Sequence, residues 1–249
     1  MADSYTDSHK ENGKGDSYDE HYATHRWRRF LWSREQLALT NLVGDFFEGR
    51  DIHLLDFACG TGRIVGFLED RVTTAVAVDV SESMLERAKQ KLRRTELIQA
   101  DITKNNVLKG RKFNLITAFR FFLNAEPGLR RSALKVLVAL LDEDGYFVFN
   151  NHRNRTSPLV RFRYNRRHKK KNFMSMTEMS DMVRQVGLEI VKIYPVGFLP
   201  LRRITLPGIV NSAIDSIAAK LNRLQNYSES PVAVCKHSGS LNSVTFSHY

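Results

Sequence analysis

The sequence predicts an α/β fold in which a mostly parallel sheet is covered by helices on both faces. From about residue 52 onward, apolar segments of strand length alternate with helical segments and short links. This order builds a parallel sheet through crossover helices. The strand segments IHLLDF and TAVAVDV are apolar throughout, which is typical of strands buried on both faces. With 249 residues, 42% of them hydrophobic, the chain is long enough for one large domain.

The elements of the first 150 residues follow from these patterns. Leu31, Leu42 and Phe46 lie near helical spacing, so a helix is expected between residues 21 and 47. A serine at its start and basic residues at its end mark SESMLERAKQKLRR as a helix. The other expected elements are strand IHLLDF, helix RIVGFLEDR, strands TAVAVDV, ELIQADI and KFNLITAF, helix RRSALKVLVALL closed by a DEDG turn, and strand YFVFNN.

The last hundred residues contain inserted segments and the end of the sheet. TEMSDMVRQVG is expected to form a helix that is capped by Thr177 and ends at Gly187, and LEIVKIYPV returns to the sheet. Either PVAVCKHS or NSVTFSHY supplies the last strand. The predicted organisation is a disordered acidic tail over residues 1–17 and a single domain over 18–249, with a basic insertion at about 152–172 and a helical insertion at about 200–226.

Composition narrows the class of protein. The formal net charge is +11 and the isoelectric point is about 9.8, so acidic partners are expected. Two cysteines give no disulfide framework and suit a reducing compartment. No segment approaches the roughly 18 apolar residues of a membrane span, and the polar N-terminus is unlike a signal peptide. A cytoplasmic protein is therefore expected, either free or in peripheral contact with a membrane.

The glycine-rich turn in LLDFACGTGRI, residues 54–64, indicates a ligand that approaches the backbone. A phosphate-binding P-loop needs Lys followed by Ser or Thr after its glycines, but Arg63 and Ile64 stand there. A dinucleotide fingerprint needs G-x-G-x-x-G, which this turn does not match, and Asp56 just before the turn would repel a pyrophosphate. A carboxylate at this position favours a ligand that carries positive charge.

The same stretch resembles motif I of the class I S-adenosylmethionine-dependent methyltransferases. That family has a Rossmann-like, doubly wound sheet of seven strands with an antiparallel strand near its C-terminus. Its turn lies against the methionine part and the ribose of S-adenosylmethionine, and glycine is commoner at the place of Ala58. The resemblance implies S-adenosylmethionine as cofactor, with contacts from this turn at Asp56, Ala58, Gly60, Gly62 and Arg63.

Further stretches resemble the family's later motifs, and the resemblance covers residues from about 50 to 150. Asp79, at the end of the second strand, stands where a carboxylate accepts hydrogen bonds from the ribose hydroxyls. In DVSESMLERAK, Met84 lies where the family has a methionine near the adenine. In ADI, Asp101 would accept from the exocyclic amine. The other implied cofactor contacts are Val80, Ile102, Phe119 and, from an N-terminal aromatic segment that closes over the cofactor in several related enzymes, Tyr18.

Other interpretations of these residues stay open at the level of sequence. Asp56 can merely cap the following turn, and Met84 at helical spacing can belong to the core. Cys59 is not expected to act as a nucleophile, because no partner base lies near it in the sequence. No metal site is expected.

The methyl acceptor is expected at the carboxyl ends of the fourth and fifth strands, where open sheets bind ligands. An alcohol or carbon acceptor needs a base. His152 follows strand five directly and its ordinary pKa suits proton transfer near neutrality, so it is the candidate base; otherwise it is a loop histidine bonded to backbone. Arg120 either binds an anionic substrate group or closes the site through an ion pair. Weaker alternatives to His152 are His21, His25 and His168, and the expected substrate contacts are Arg120, Asn124, Asn150 and Asn154.

The basic run RFRYNRRHKKK, residues 161–171, holds seven Lys or Arg residues and has three interpretations. It is a solvated face, a surface that binds the phosphate of a nucleotide- or lipid-linked substrate, or a nucleic-acid interface. An apolar helical stripe begins at Ile209, and with arginines before it a contact with an anionic membrane is open. Motifs of base-methylating enzymes such as N-P-P-Y do not occur after strand four, which disfavours nucleic acid.

The sequence thus predicts an S-adenosylmethionine-dependent methyltransferase that acts on a small-molecule, glycan or lipid-linked acceptor, with oxygen as the expected methylated atom. RNA methylation is the alternative reaction, and it is favoured only by charge. A non-catalytic S-adenosylmethionine-binding module is the alternative of a different class.

Overall fold

Seven strands form one sheet in the order β3-β2-β1-β4-β5-β7-β6 in the computed structural model of this chain. The structure describes residues 24–158, 160–161, 173–198 and 224–239, together with residues 210, 213, 216, 217, 220 and 221. The strands are β1 His53–Phe57, β2 Thr74–Asp79, β3 Thr95–Gln99, β4 Phe113–Ala118, β5 Leu141–Asn150, β6 Leu188–Tyr194 and β7 Val232–His237.

The strands β1 to β5 run parallel, and β7 runs antiparallel to both β5 and β6. The strand order reverses beside β1, because the chain moves outward from β1 to β3 and then returns to place β4 on the other side of β1. Ligands of open α/β sheets bind at the carboxyl ends of the strands at such a reversal. The predicted fold, a seven-stranded, mostly parallel sheet with an antiparallel C-terminal strand, is confirmed.

Helices cover both faces of the sheet, as predicted. Within the described residues the α-helices are α1 Arg26–Phe47, α2 Arg63–Leu68, α3 Glu82–Lys89, α4 Phe121–Asn124, α5 Pro127–Leu140 and α6 Met176–Arg184. Leu39 of α1 packs in one core cluster with Leu54 of β1, whereas Leu137 of α5 packs in a second cluster with Leu55. Adjacent residues of β1 enter opposite clusters because side chains alternate along a strand. Among the described helices, none is long and apolar enough to cross a membrane.

The strand β5 begins earlier than predicted. The DEDG segment, expected as a turn, belongs to β5, which starts at Leu141 directly after α5. The register of β5 against β4 shifts between Phe113 and Leu115. A Cβ atom on Gly145 would lie 2.9 Å from Leu141 Cδ1 and 3.2 Å from Asn114 Cα, so this irregular pairing has room only for glycine. A glycine inside a strand pattern can mark such an irregularity as well as a turn.

The helix α6 is capped two residues before the expected place. Ser175, rather than Thr177, is the cap: its Oγ accepts from the Glu178 backbone N–H at 3.2 Å, and Glu178 Oε2 accepts from the Ser175 N–H at 2.7 Å. This reciprocal pair is a capping box. Gly187 follows the helix with a φ of 78°, as its role as a terminator predicts.

Candidate functional site

A pocket lies at the carboxyl ends of β1, β2 and β3, beside the strand-order reversal. Its empty volume is about 440 Å³, and its lining residues are Phe57, Ala58, Val78, Asp79, Val80, Ala100, Asp101, Thr103, Phe121 and Leu129. Two carboxylates in an otherwise largely apolar wall suit a ligand with an apolar ring and a few hydrogen-bond donors. A larger hollow of about 810 Å³ around Asp142 and Lys112 lies at the amino end of the sheet, away from the edge where such folds bind ligands.

The Asp79 carboxylate is fixed by two backbone amides. Its Oδ2 accepts from the Gly60 N–H at 2.8 Å and its Oδ1 from the Ser81 N–H at 2.9 Å, so it connects the turn after β1 with the turn after β2. An ionised carboxylate has about four acceptor positions. Because Asp79 also lines the pocket, a ligand donor such as a ribose hydroxyl can approach its carboxylate.

Asp101 presents a buried acceptor to the same pocket wall. Its Oδ1 accepts from the Thr103 N–H at 3.2 Å and from Thr103 Oγ1 at 2.6 Å. Its Oδ2 is buried and accepts no hydrogen bond from the residues that the structure describes, although Lys104 Nζ lies 3.4 Å away as an ion-pair partner. A buried acceptor without a donor is unfavourable. An amine donor from a ligand, such as the exocyclic amine of adenine, could donate a hydrogen bond to Asp101 Oδ2.

The glycine turn is held in left-handed backbone at three positions, with φ of 54° at Ala58, 57° at Gly60 and 76° at Gly62. A Cβ on Gly60 would meet no atom of the described residues within 4 Å, so within this part of the chain the glycine borders open space. A Cβ on Gly62 would lie 2.9 Å from Leu92 Cδ1. Gly62 is therefore required for packing inside the protein, and only Gly60 keeps the backbone open toward a ligand.

Asp56 lies beneath the turn rather than on its surface. It is 1% exposed, and its oxygens accept from Thr117 Oγ1 at 2.7 Å and from the Val65 N–H at 3.2 Å. Burial raises the pKa of Asp56 to about 7, against the opposing effect of these hydrogen bonds. Burial, with the charges of Asp79 and Asp56, also raises the pKa of the Cys59 thiol well above its ordinary value. The thiol stays protonated, as expected for a residue that is not a nucleophile.

The other residues expected to contact the cofactor differ in exposure. Val80 lines the pocket. Met84 is 7% exposed and Phe119 is 6% exposed, and Phe119 packs in the core cluster of α1. Ile102 is buried in the opposite cluster, which leaves its backbone as the group available for a ligand. Tyr18 lies outside the described residues.

A second part of the site, at the carboxyl ends of β4 and β5, is built around Glu35 of α1. Glu35 is completely buried. Its carboxylate accepts from Arg63 Nη1 at 2.8 Å, Asn150 Nδ2 at 3.1 Å and Arg120 Nη2 at 3.5 Å. Burial acts to raise the pKa of Glu35, but the charges of Arg63 and Arg120 outweigh it and lower this pKa. An ionised carboxylate thus joins the helix α1 to the loops after β1, β4 and β5.

Glu35 was not expected from the sequence, although a signal for it exists. Leu31, Glu35 and Leu39 recur at four-residue spacing, and all three are buried. A charged residue on the apolar stripe of an amphipathic helix needs a partner, and the partner here is Arg63 together with Arg120. Arg63 also stacks its guanidinium over the Trp32 ring, 4.4 Å from the ring centroid.

The three asparagines expected to bind substrate use their amides within the protein. Asn150 Oδ1 accepts from the Arg120 N–H at 2.7 Å while its Nδ2 donates to Glu35. Asn154 Nδ2 donates to the carbonyls of residues 226 and 228. Asn124 is exposed and donates to the Arg120 carbonyl at 2.8 Å. These contacts favour a positioning role for Asn150 and Asn154 over direct contact with an acceptor.

His152 lies just beyond β5, next to Asn150. It is 7% exposed, and in the described part of the chain its Nδ1 has no hydrogen-bond partner. Burial first, and then the positive charges of Arg120 and Arg153, lower the pKa of His152 well below its ordinary value. The imidazole is therefore neutral at physiological pH. His25 is exposed, whereas His21 and His168 lie outside the described residues.

Comparison with known proteins concerns the first part of the site, the pocket at the carboxyl ends of β1, β2 and β3. Residues 54–145 match the model of a family described as "Methyltransferase domain". No curated protein matches the sequence. The matched segment contains the glycine turn, both pocket carboxylates, β4 and the start of β5.

Solved structures share the fold over almost the whole chain. A methyltransferase from Thermotoga maritima, described as a possible histamine N-methyltransferase, is 18% identical, with 89% of this chain and 94% of that chain covered and a TM-score of 0.64. Magnesium protoporphyrin IX methyltransferase from Synechocystis PCC 6803, with bound SAH, is 12% identical, with 94% and 98% covered and a TM-score of 0.66. An S-adenosylmethionine-dependent methyltransferase from Clostridium acetobutylicum is 15% identical, with 90% and 99% covered and a TM-score of 0.60.

Proposed function

We infer that this chain, whose residues 54–145 match a family described as "Methyltransferase domain", is a class I S-adenosylmethionine-dependent methyltransferase that transfers the methyl group to an oxygen atom of a small-molecule acceptor. The observation that carries this proposal is the neutral, buried imidazole of His152, whose Nδ1 has no hydrogen-bond partner among the described residues. Two of the proteins with this fold are described as acting on small molecules, namely a porphyrin and, as a possibility, histamine.

The residues of the pocket fit S-adenosylmethionine. Asp79 would accept hydrogen bonds from the ribose hydroxyls, and Asp101 Oδ2 would accept one from the exocyclic amine of the adenine. Gly60 leaves room for the backbone to approach the cofactor. The cofactor supplies a methyl carbon that is already activated by the sulfonium.

The protein's own task is then to place the acceptor and to receive its proton. A hydroxyl has to lose a proton as its oxygen is methylated, and His152 Nδ1 would take that proton. Asn150 holds the backbone of Arg120 through one hydrogen bond and reaches Glu35 through another. The loops after β4 and β5 are thereby fixed beside the base, which limits the motion of a bound acceptor.

A screen for transfer of a labelled methyl group tests the reaction. Hydroxylated small molecules, sugars, amines, glycan- and lipid-linked acceptors and RNA are each incubated with the enzyme and labelled S-adenosylmethionine. Formation of a methyl ether or ester supports the proposal. Transfer only to amines or RNA contradicts it, and cofactor binding without transfer to any acceptor identifies a binding module instead.

The role of His152 is tested by His152→Gln. Loss of a general base is expected to lower turnover about 10²- to 10⁴-fold with little change in cofactor affinity. His53→Gln, at the amino end of β1, is the matched control and should leave turnover unchanged. Because the pKa of His152 lies well below its ordinary value, wild-type kcat/KM is expected to fall only below about pH 6.5. Near-normal turnover of His152→Gln would mean that His152 is structural.

We further propose that the enzyme contacts anionic membranes, where a lipid-linked acceptor would be found. Four apolar side chains of the stripe predicted after Ile209 are exposed: Val210 by 39%, Ile217 by 63%, Leu221 by 53% and Leu224 by 38%. Of the basic run, Arg161 is exposed, whereas residues 162–171 lie outside the described residues, as does Ile209. Exposed apolar side chains, in a chain with a formal net charge of +11, suit an interfacial contact.

Co-sedimentation tests this contact. The wild type is expected to bind vesicles that contain phosphatidylserine and to bind pure phosphatidylcholine vesicles poorly. The double variant Ile217→Ser, Leu221→Ser should lose most of this binding, while the control Val107→Ser, which removes an apolar side chain exposed by 51% elsewhere, should keep it. Binding of wild type to RNA with a steep salt dependence, and not to vesicles, would favour the RNA alternative.

A further inference from the structure

The glycine turn after β1 is joined to the helix α1 by an ion pair. Arg63 is the first residue of α2 and follows Gly62 of the turn directly. Its Nη1 donates to Oε2 of Glu35 at 2.8 Å, and its guanidinium stacks over the Trp32 ring, 4.4 Å from the ring centroid. Glu35 and Trp32 both belong to α1. The position of the Glu35 carboxylate therefore depends on the position of the turn.

The other oxygen of Glu35 reaches the loops after β4 and β5. Its Oε1 accepts from Asn150 Nδ2 at 3.1 Å and from Arg120 Nη2 at 3.5 Å. The fully buried Asn150 also accepts, through Oδ1, from the Arg120 backbone N–H at 2.7 Å. Because the side-chain amide is planar, the hydrogen bond from Nδ2 to Glu35 fixes the direction in which Oδ1 points. Glu35 thus holds Asn150 in the orientation that accepts from Arg120.

Arg120 needs this support because its backbone is in the left-handed region, with a φ of 63°. Residues other than glycine disfavour this region, and such strain persists only where the surrounding contacts impose it. Arg120 directly precedes the short helix α4, so its conformation sets the course of the loop after β4. If the amide of Asn150 turns away, this loop can relax to an ordinary conformation. The loop therefore has two states, and the bond to Asn150 selects the strained one.

A second link between the glycine turn and β4 ends inside the sheet. Asp56 accepts from Thr117 Oγ1 at 2.7 Å and from the Val65 N–H at 3.2 Å. Thr117 is paired with β1 on one side and with β5 on the other, so this link reaches a rigid part of β4. The contacts through Glu35 reach the loop beyond the strand, where the backbone can change.

We propose that Glu35 is a positioning residue, through which order in the cofactor turn is passed to the loop after β4. The turn loses freedom when S-adenosylmethionine is bound, and Arg63, Glu35 and Asn150 transmit this loss to the backbone of Arg120. The proposal rests on the proposed function, because it concerns the loops that place the acceptor. These loops would be fully ordered once the methyl donor is bound, so that the acceptor binds after the cofactor.

Hydrogen exchange of the Arg120 amide tests this coupling, since exchange reports local opening of the backbone. It is followed by NMR on isotope-labelled enzyme, with and without saturating S-adenosylhomocysteine. In the wild type this ligand is expected to slow exchange at Arg120 about tenfold, within the ordinary range of coupling between sites. Arg63→Met breaks the contact with Glu35, keeps an apolar side chain beside Trp32 and leaves Glu35 its bonds to Asn150. Exchange at Arg120 should then no longer respond to the ligand.

A second amide shows that the ligand is bound in each variant. The Ser81 N–H donates to Asp79 Oδ1 at 2.9 Å in the wall of the pocket, and its exchange should slow in wild type and in Arg63→Met alike. A merely structural role of Arg63 would change exchange at Arg120 equally with and without the ligand. If Arg63→Met does not fold, the double variant Glu35→Gln, Arg63→Met removes both charges, which costs less than removing one. The same loss of response is expected from it.

Arg71→Met is the matched control. The Arg71 guanidinium also lies 4.4 Å from the centroid of an aromatic ring, that of Phe67, but it donates to the Phe67 carbonyl and not to a carboxylate of α1. This variant should keep the wild-type response at Arg120.

Two results would overturn the role of Glu35. One is exchange at Arg120 that does not respond to S-adenosylhomocysteine in the wild type. The other is an equal response in Arg63→Met, which would mean that the ligand acts on the loop directly through Phe121 in the pocket wall. Neither result bears on methylation at oxygen, because no acceptor is present in the experiment.

Discussion

The candidate site at the carboxyl edge of the sheet has two halves: a cofactor half with Asp79 and Asp101, and an acceptor half with Glu35, Arg120 and Asn150. The two halves differ in how their polar groups are held. In the cofactor half, Asp79 and Asp101 accept from backbone amides of the turns beside them, over separations of 2 to 19 residues. In the acceptor half, Glu35 meets Arg120 across 85 residues and Asn150 across 115. Local turns build the first half, whereas packing of distant elements builds the second.

The two halves also differ in charge. The pocket wall presents the carboxylates Asp79 and Asp101 to a cofactor that has hydroxyl and amine donors and no phosphate. The loops after β4 and β5 present Arg120 and Arg153. One side of this edge therefore carries carboxylates and the other side carries arginines.

The largest effect is expected from Glu35→Gln, which tests whether distant packing holds the acceptor half. Removing this charge leaves Arg63 and Arg120 without their shared partner. Loss of one member of a buried ion pair costs about 3–5 kcal/mol, and the partial exposure of the two arginines, 14% and 16%, reduces this to roughly 2–4 kcal/mol. Urea unfolding measures the loss.

Glu96→Gln is the control for that change. Glu96 pairs with Arg111 at 2.9 Å, but both side chains are exposed, so its loss should cost less than about 1 kcal/mol. If Glu35→Gln destabilises the protein no more than Glu96→Gln does, the buried contact does not hold the acceptor half together.

A smaller effect, confined to ligand binding, is expected in the cofactor half. Asp79→Ala should weaken binding of S-adenosylmethionine by roughly 1.5–3 kcal/mol, the scale of hydrogen bonds to a charged group. Calorimetry measures it, with Asp70→Ala as the control, because Asp70 is exposed and pairs with the exposed Arg93. Unchanged affinity in folded Asp79→Ala protein would contradict the proposal that Asp79 binds the ribose hydroxyls.

The difference between the halves explains what could be predicted from the sequence. Asp79 and Asp101 could be predicted as cofactor contacts because each ends a strand in a short stretch that resembles a family motif. Glu35 was missed because its partners lie on three later elements, and nothing in the surrounding sequence, SREQLAL, indicates which residues they are. Asn150 was placed at the correct edge, but its hydrogen bonds to Arg120 and Glu35 depend on packing that the sequence does not show.

The two glycines of the turn show the same limit of prediction from sequence. Both glycines of ACGTG suggest close approach to a ligand, yet Gly62 makes room for Leu92 and only Gly60 borders open space. Leu92 lies 30 residues further along the chain, after α3. Motif resemblance locates the turn, and only the packing separates the two roles.

A pH-dependent effect is expected at Asp56, which lies where the two halves join and bonds to both Thr117 of β4 and Val65 of α2. Burial raises its pKa to about 7. Its contribution to stability is therefore complete below the ordinary carboxyl pKa and is lost as pH rises through about 7. Relative to Asp56→Asn, the wild type should lose about 1.4 kcal/mol of unfolding free energy between pH 6 and pH 8.

Urea unfolding of both proteins at several pH values checks this difference, and the variant serves as its own reference for all other titrating groups. Parallel stability curves across pH 6 to 8 would show that Asp56 titrates outside this range. A steeper loss in the variant than in the wild type would reverse the sign and contradict the raised pKa.

The smallest effect is expected from substitutions at two of the three left-handed positions of the turn, Ala58 and Gly60. Ala58→Gly relieves strain at a φ of 54°, and this gain exceeds the added entropy of the unfolded chain by roughly 0.5 kcal/mol. The variant should therefore be slightly more stable and bind S-adenosylmethionine as the wild type does.

Gly60→Ala is the opposite change: it adds strain at a φ of 57° and places a methyl group in the open space beside the pocket. It should lower both stability and cofactor affinity, measured by thermal unfolding and calorimetry. If Ala58→Gly instead destabilises the protein by more than about 1 kcal/mol, the Ala58 methyl group packs against the pocket wall more strongly than its backbone strain costs.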